Sequence, residues 1–168
     1  MPTRNRPPQP SSSSGTIPPA PMSLSSSGLA FIERHEGYGA AIYEDNAGYP
    51  TIGYGHLIKP GEDFSKGITP EQACQLLAQD AKTAVDAVNA KVSIRLTQPQ
   101  FDALVDFTYN LGVGAFNRSV LLKNLNSGTP VVLKNFTDWN LAAGKAVPGL
   151  TRRRTDEFNL FSQGEYGA

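Results

Sequence analysis

The pattern of apolar and polar positions along the chain changes period twice. Leu29, Ile32 and Glu36 recur at i, i+3 and i+7 behind Ser27, a residue type that caps helix N-termini, so a short helix is predicted with a carboxyl on its apolar stripe. Gly37 and Gly39 stop it. Residues 42–45 and 51–55 then read as two strands around a turn at Asn46-Ala47-Gly48, and Pro50, which cannot donate to a ladder, predicts an edge position for the second strand. From Thr69 the helical period returns. Thr69-Pro70-Glu71-Gln72 is a capping box with proline at the first helical position, and Ala73, Leu77, Ala81, Ala84 and Val88 keep one face apolar over roughly 20 residues, long enough to join two lobes. Thr97, Pro99 and Gln100 repeat the signal ahead of Phe101, Leu104, Val105 and Thr108, with Gly112 as the stop. Shorter helices are predicted at 118–126, 130–139 and 151–161, and Trp139, in helical spacing with Leu133 and Phe136, is read as core. The fold class that follows is α+β: a small lobe of one helix and an antiparallel hairpin, joined by a long helix to a larger all-helical lobe.

The first 27 residues do not follow this grammar. They hold seven of the 13 prolines, serine runs at 11–14 and 23–27 broken only by Leu24, and no acidic residue. Such a composition buries too little apolar surface to offset its ordering entropy, so a disordered tail over 1–27 and one folded domain over 28–168 are expected. At 168 residues with 39% apolar content the chain has material for a sizeable core. Its formal net charge of zero gives no global attraction to nucleic acid or to a membrane surface. No run approaches the roughly 18 apolar residues that span a bilayer, and residues 1–27 lack the apolar middle of a secretory signal, so synthesis and folding in the cytosol without stable membrane insertion are expected. The single cysteine, Cys74, rules out an intramolecular disulfide, and its place in a helical apolar pattern reads as a structural thiol rather than a nucleophile.

Hydrolysis of a glycosidic bond needs a proton donor for the leaving oxygen and a second group that activates water or stabilises the charge developing on the sugar. Burial against Leu29 and Ile32 would favour the protonated form of Glu36, while Asp45, beside a polar turn, would stay ionised and Thr51 would help to position a water. A glutamate at a helix end and an aspartate in a turn are each common in structural roles, so this spacing by itself leaves both readings open.

The surrounding residues narrow the choice. Phe31-Ile32-Glu33-Arg34-His35-Glu36-Gly37, Ile42-Tyr43-Glu44-Asp45 and Gly48-Tyr49-Pro50-Thr51-Ile52-Gly53-Tyr54-Gly55-His56 closely resemble the signature of the phage-type lysozymes, glycoside hydrolase family 24, to which the T-even phage lysozyme and many lambdoid endolysins belong. In that family a Glu is followed nine residues on by Asp or Cys and six further by Thr, and Glu36, Asp45 and Thr51 match without a gap. The likeness continues through Gln100-Phe101-Asp102-Ala103-Leu104-Val105, Tyr109-Asn110-Leu111-Gly112 and Gly149-Leu150-Thr151-Arg152-Arg153-Arg154, covering roughly residues 28–163.

The resemblance implies a lysozyme-like fold and a muramidase that cuts the β-1,4 bond between N-acetylmuramic acid and N-acetylglucosamine in peptidoglycan. Glu36 would protonate the leaving oxygen, and Asp45 with Thr51 would orient the attacking water. Inversion would follow, with the two carboxyls about 6.5–9.5 Å apart to admit that water. Tyr109 and Asn110, by the same resemblance, border the cleft, and Leu57 and Ser119 align with cleft positions, so these four are the substrate-binding candidates. His56 is expected to support the hairpin by hydrogen bonding. No cofactor is implied. His35 beside Glu36 has neither an HExxH pattern nor a second nearby ligand, so no metal site is expected. By the same resemblance the expected partner is peptidoglycan, reached by a monomer that would wait in the host cytoplasm, cross a holin lesion and act in the periplasm to lyse the host. A bacterial wall-degrading effector of the same fold and a non-catalytic glycan-binding module are the alternatives, the intact triad speaking against the second. Arg152-Arg153-Arg154 is read as one inward salt bridge and two solvated charges.

Overall fold

The computed structural model describes residues 19–167, so residues 1–18 of the expected tail lie outside the described residues. Helix α1 spans Ser26–Glu36, and its cap is Ser25 rather than Ser27: Ser25 Oγ accepts the Gly28 N–H at 2.9 Å. The same serine donates its own N–H (3.2 Å) and its hydroxyl to the fully buried Asp102. Gly28 makes room for this contact, since a Cβ there would lie 2.5 Å from the Asp102 carboxyl carbon. The boundary expected at residue 27 therefore falls too late. Met22 exchanges two 2.9 Å hydrogen bonds with Asn89, Gln98 donates to the Ser23 carbonyl, and Met22 and Leu24 pack on the core. Residues that composition assigns to a solvated tail supply this cap and these contacts.

Gly37 ends α1 at φ +72°. Strand β1 (Gly39–Glu44) then pairs antiparallel with β2 (Pro50–Gly53), Tyr43 opposite Thr51, and β2 pairs with β3 (His56–Leu57), Ile52 opposite His56. β2 is thus the central strand, not the edge that Pro50 predicted. Proline is accommodated because it is the strand's first residue and contributes only its carbonyl, which accepts the Ile58 N–H at 3.0 Å.

Helix α2 (Pro70–Lys91) realises the predicted capping box, Thr69 Oγ1 accepting the Gln72 N–H and Gln72 Oε1 accepting the Thr69 N–H. It packs on β2 and β3 as well as on helix α3 (Gln98–Leu111), and so serves both lobes. Residues 101–108 of α3 are all buried, which makes α3 the axis of the helical lobe. The helix predicted at 118–126 is α5 (Val120–Ser127), preceded across Ser119 by a short unpredicted helix, α4 (Val113–Arg118); α6 (Leu133–Thr137) ends before Trp139. A small hairpin of β4 (Leu141–Ala142) and β5 (Lys145–Ala146), which the periodicity does not predict, leads to α7 (Pro148–Gln163) against α3. Phe107 holds the lobe together through edge contacts with Phe116, Phe136 and Trp139 at 5.8–6.3 Å between centroids. The architecture is α+β, a helix with a small antiparallel sheet beside a helical lobe, as the pattern predicts.

Candidate active site

A cleft of about 650 Å³ opens where the C-terminus of α1, the three-stranded sheet, α2 and the last turn of α3 meet. Glu36 reaches it from α1, Asp45 from the β1–β2 turn and Thr51 from β2, so three chain segments deliver the three candidate residues to one space. The turn is built around Asp45: its Oδ1 accepts the N–H groups of Ala47 and Tyr49, both at 2.9 Å, and its own N–H donates to the Tyr49 carbonyl at 2.9 Å. An aspartate that bonds backbone a few residues on stabilises a turn while keeping its carboxyl in one place. Among the described residues Oδ2 receives no hydrogen bond. Thr51 is buried, and its hydroxyl donates to the Tyr49 carbonyl at 2.9 Å, which leaves the oxygen's lone pairs as acceptors.

Glu36 has a different setting from the apolar one the sequence predicts. Its Oε1 meets Arg153 Nη2 at 2.8 Å, and the side chain of Arg153 is buried, so a guanidinium rather than a wall of leucine and isoleucine faces the carboxyl. Oε2 points toward Gly55, where φ is +90° and a Cβ would sit 3.3 Å from Oε2 and 4.0 Å from the Tyr109 hydroxyl. Glycine satisfies both demands there, the left-handed backbone and an open gap between acid and tyrosine.

Arg153 in turn makes a two-pronged bond to Asp106, Nε to Oδ2 at 3.0 Å and Nη2 to Oδ1 at 2.7 Å. Burial opposes charge on Asp106, but Arg153, a hydrogen bond from Glu157 and Arg154 overcome it and hold this carboxyl down at about 2. Glu157 moves the other way, well above the usual carboxylate range, first through burial and then through the Asp106 charge. Arg154 closes the cluster, its Nη2 donating to Glu157 Oε2 (2.9 Å) and to Asn110 Oδ1 (2.7 Å) while its guanidinium carbon lies 5.3 Å from the centre of the Phe107 ring. Two of the three arginines are therefore turned inward and only Arg152 is exposed, against the single inward bridge expected.

Of the substrate-binding candidates, Leu57, Tyr109 and Asn110 line the cleft, Leu57 with 52% of its surface exposed. Ser119 does not. It is buried at the α4–α5 junction, where its hydroxyl donates to the Phe116 carbonyl (2.7 Å) and accepts the Leu122 N–H (3.1 Å), so helix capping uses the group that was expected to meet sugar. His56, on β3, bonds outside the hairpin: Nδ1 lies 2.7 Å from Asp80 on α2 and Nε2 3.0 Å from Glu62. Burial acts against its proton, yet these two carboxylates prevail and raise its pKa above the ordinary value. Cys74 donates to Glu33 Oε1 at 2.9 Å, and that bond with burial pushes the thiol up to about 11, which suits a structural role. Among the described residues no group of three or more His, Cys, Asp or Glu side chains is arranged to hold a metal ion, and no helix is long and apolar enough to cross a membrane.

The site residues that sequence reasoning missed are Arg153, Asp106 and Asp80. A signal existed for Asp106: with Asp102 it stands at i, i+4 on the buried side of an otherwise apolar helix, and an acid in that place requires a partner.

The model of the phage lysozyme family matches residues 33–157. An endolysin of Bacillus phage PZA is 41% identical over 148 residues, 85% of this chain, though the chain spans only about half (56%) of that relative's length. An endolysin of Acyrthosiphon pisum secondary endosymbiont phage 1 is 37% identical over 145 residues, 83% of this chain and 98% of that protein. Among solved structures, the endolysin from Escherichia coli O157:H7 phage FAHEc1 superposes with a TM-score of 0.76 at 39% identity, covering 88% of this chain and 98% of that one. A family model that takes in Glu36, Asp45, Thr51 and Arg153 together, with relatives matched along nearly their whole length, means that the chain belongs to the phage lysozyme family.

Proposed function

We propose that the protein is an endolysin of the muramidase type, hydrolysing the β-1,4 bond between N-acetylmuramic acid and N-acetylglucosamine in peptidoglycan with inversion. The observation that carries this reading is the meeting of Glu36, Asp45 and Thr51, from three separate elements, in one open cleft. Glu36 protonates the glycosidic oxygen as the bond breaks. The attacking water comes from the opposite side, held by Asp45 Oδ2 and Thr51 Oγ1. Because the Thr51 hydroxyl proton is committed to the Tyr49 carbonyl, both side chains act as acceptors for the two water hydrogens, and a water lone pair is left to attack the anomeric carbon. Asp45 takes one proton as the new bond forms. Leu57, Tyr109 and Asn110 hold the glycan, and no cofactor enters the scheme.

The biological setting belongs to the same proposal: a monomer made in the host cytoplasm, reaching peptidoglycan through a holin lesion and lysing the cell at the end of infection. Mass spectrometry of digested peptidoglycan tests the chemistry. Reducing muramic acid ends are expected; anhydro ends would mean a lytic transglycosylase and new free amino groups a peptidase or amidase. Glu36→Gln is expected to abolish wall clearing, a loss of roughly 10²–10⁴-fold, with its circular dichroism unchanged. An active, folded Glu36→Gln protein would sink the assignment.

A further inference from the structure

The proposed reaction uses Glu36, which is paired with Arg153, yet Asp106, Arg154 and Glu157 behind that pair are fully enclosed and take no step in it. Charged groups are costly to bury unless each is paired, so their arrangement calls for a reason. The guanidinium of Arg153 is planar, and Asp106 grips two of its nitrogens. That grip fixes the plane of the guanidinium and the place of Nη2, the same nitrogen that meets Glu36 Oε1 at 2.8 Å. Nη2 thus lies between two carboxylates, one on α1 and one on α3.

We propose that Asp106 is a positioning residue of the reaction: it aims Arg153 and through it Glu36, and it draws toward itself part of the positive charge that would otherwise bear on Glu36 alone. The inference rests on the reading of Glu36 as proton donor. The titratable and charged groups facing this cluster are His35 on α1, Tyr43 on β1, Asp80 on α2, Tyr109 on α3 and Arg154, Asp156 and Glu157 on α7. Burial raises both tyrosines and, outweighing Asp106 and Asp156, lowers His35, so neither tyrosine gives up its proton near neutral pH.

Asp106→Asn keeps the shape of the side chain and removes its charge. The expected result is a kcat about tenfold lower with KM little changed, and an alkaline limb of the kcat–pH profile displaced to lower pH, because the full charge of Arg153 then favours the anionic form of the acid. Asp106→Glu, which keeps the charge but displaces it, should lower kcat and leave the limb where it is. Wild-type kcat and profile in a folded Asp106→Asn protein would overturn the proposal, and so would a loss of kcat with the limb unmoved, which is the mark of a merely structural residue. Should Asp106→Asn not fold, Arg153→Lys asks the same question: a single ammonium cannot grip Asp106 at two points and still face Glu36, so kcat should fall about tenfold, and an undiminished kcat would overturn the proposal. Glu36→Gln measured alongside separates the two claims. Activity in that variant withdraws the proton-donor reading itself, whereas an inactive Glu36→Gln beside a fully active Asp106→Asn withdraws only the role of Asp106.

Discussion

The two walls of the cleft are held by different means. On the hairpin side, Asp45 and Thr51 are fixed by hydrogen bonds to backbone groups two to four residues away. On the helical side, Glu36 is set by an arginine from the last helix, which is itself set by an aspartate 47 positions earlier in the chain. A local turn carries its own geometry wherever the chain folds, but a buried ion cluster exists only when α1, α3 and α7 have docked. The wall that carries Asp45 and Thr51 is therefore held by local contacts, and the wall that carries Glu36 depends on the docked helical lobe.

The strongest test of that contrast removes the shared arginine. Arg153→Ala leaves Asp106 buried without its main partner, and a loss of about 3–5 kcal/mol in urea unfolding is expected, as for other buried pairs broken on one side. A loss below about 1 kcal/mol would mean that the cluster does not organise the lobe. On the opposite wall the balance between stability and rate should reverse. Thr51→Val keeps volume and β-branching while deleting one acceptor for the water, so wall clearing should fall by about 10²-fold while stability drops by only about 1 kcal/mol for the lost bond to the Tyr49 carbonyl. Equal damage to both quantities would erase the distinction between the walls.

The same contrast explains what the sequence revealed. The capping boxes at Thr69 and Thr97, the glycine stop after Glu36 and the Asp45 turn are local devices, and each stands in the structure where its residues predict. The errors arise where the deciding contact is remote. Pro50 reads as an edge residue because nothing nearby announces that β3 will pair on the far side of β2. The arginine triplet does not say which members turn inward, because that depends on Asp106 and Asn110 in another helix. The serines before α1 read as tail because Asp102 and Asn89, which hold that segment, lie far along the chain. Ser119 is a different case: the resemblance aligns it with a cleft position, whereas its hydroxyl caps α5. Ser119→Ala is therefore expected to cost about 1 kcal/mol in thermal unfolding. Its activity per folded molecule should match wild type, and a selective rise in KM would return Ser119 to the glycan-binding set.

His56 lies between the two schemes, on the local sheet but bonded to Asp80 across the lobe junction and to Glu62 in the following loop, and its effect should be the smallest and the most dependent on pH. Its folded pKa is raised, so it holds its proton more tightly in the native state than in the unfolded chain. The stabilisation is fully present below the unfolded value of about 6.5 and is lost as pH rises through the higher folded value. Glu62 is shifted down, first by the Lys59 N–H and then by His56, so its share is present above the ordinary carboxylate range and disappears in acid. Both contributions coexist in the window between those limits. The difference in Tm between wild type and His56→Gln should accordingly be greatest near pH 5.5 and shrink as pH rises through the folded value, above which the imidazole is neutral in both states and glutamine replaces it at little cost. A difference that stays constant across this range would show that His56 joins sheet and helix as a neutral hydrogen-bonding group, and the junction would then belong with the hairpin wall, held by geometry, rather than with the helical wall, held by charge.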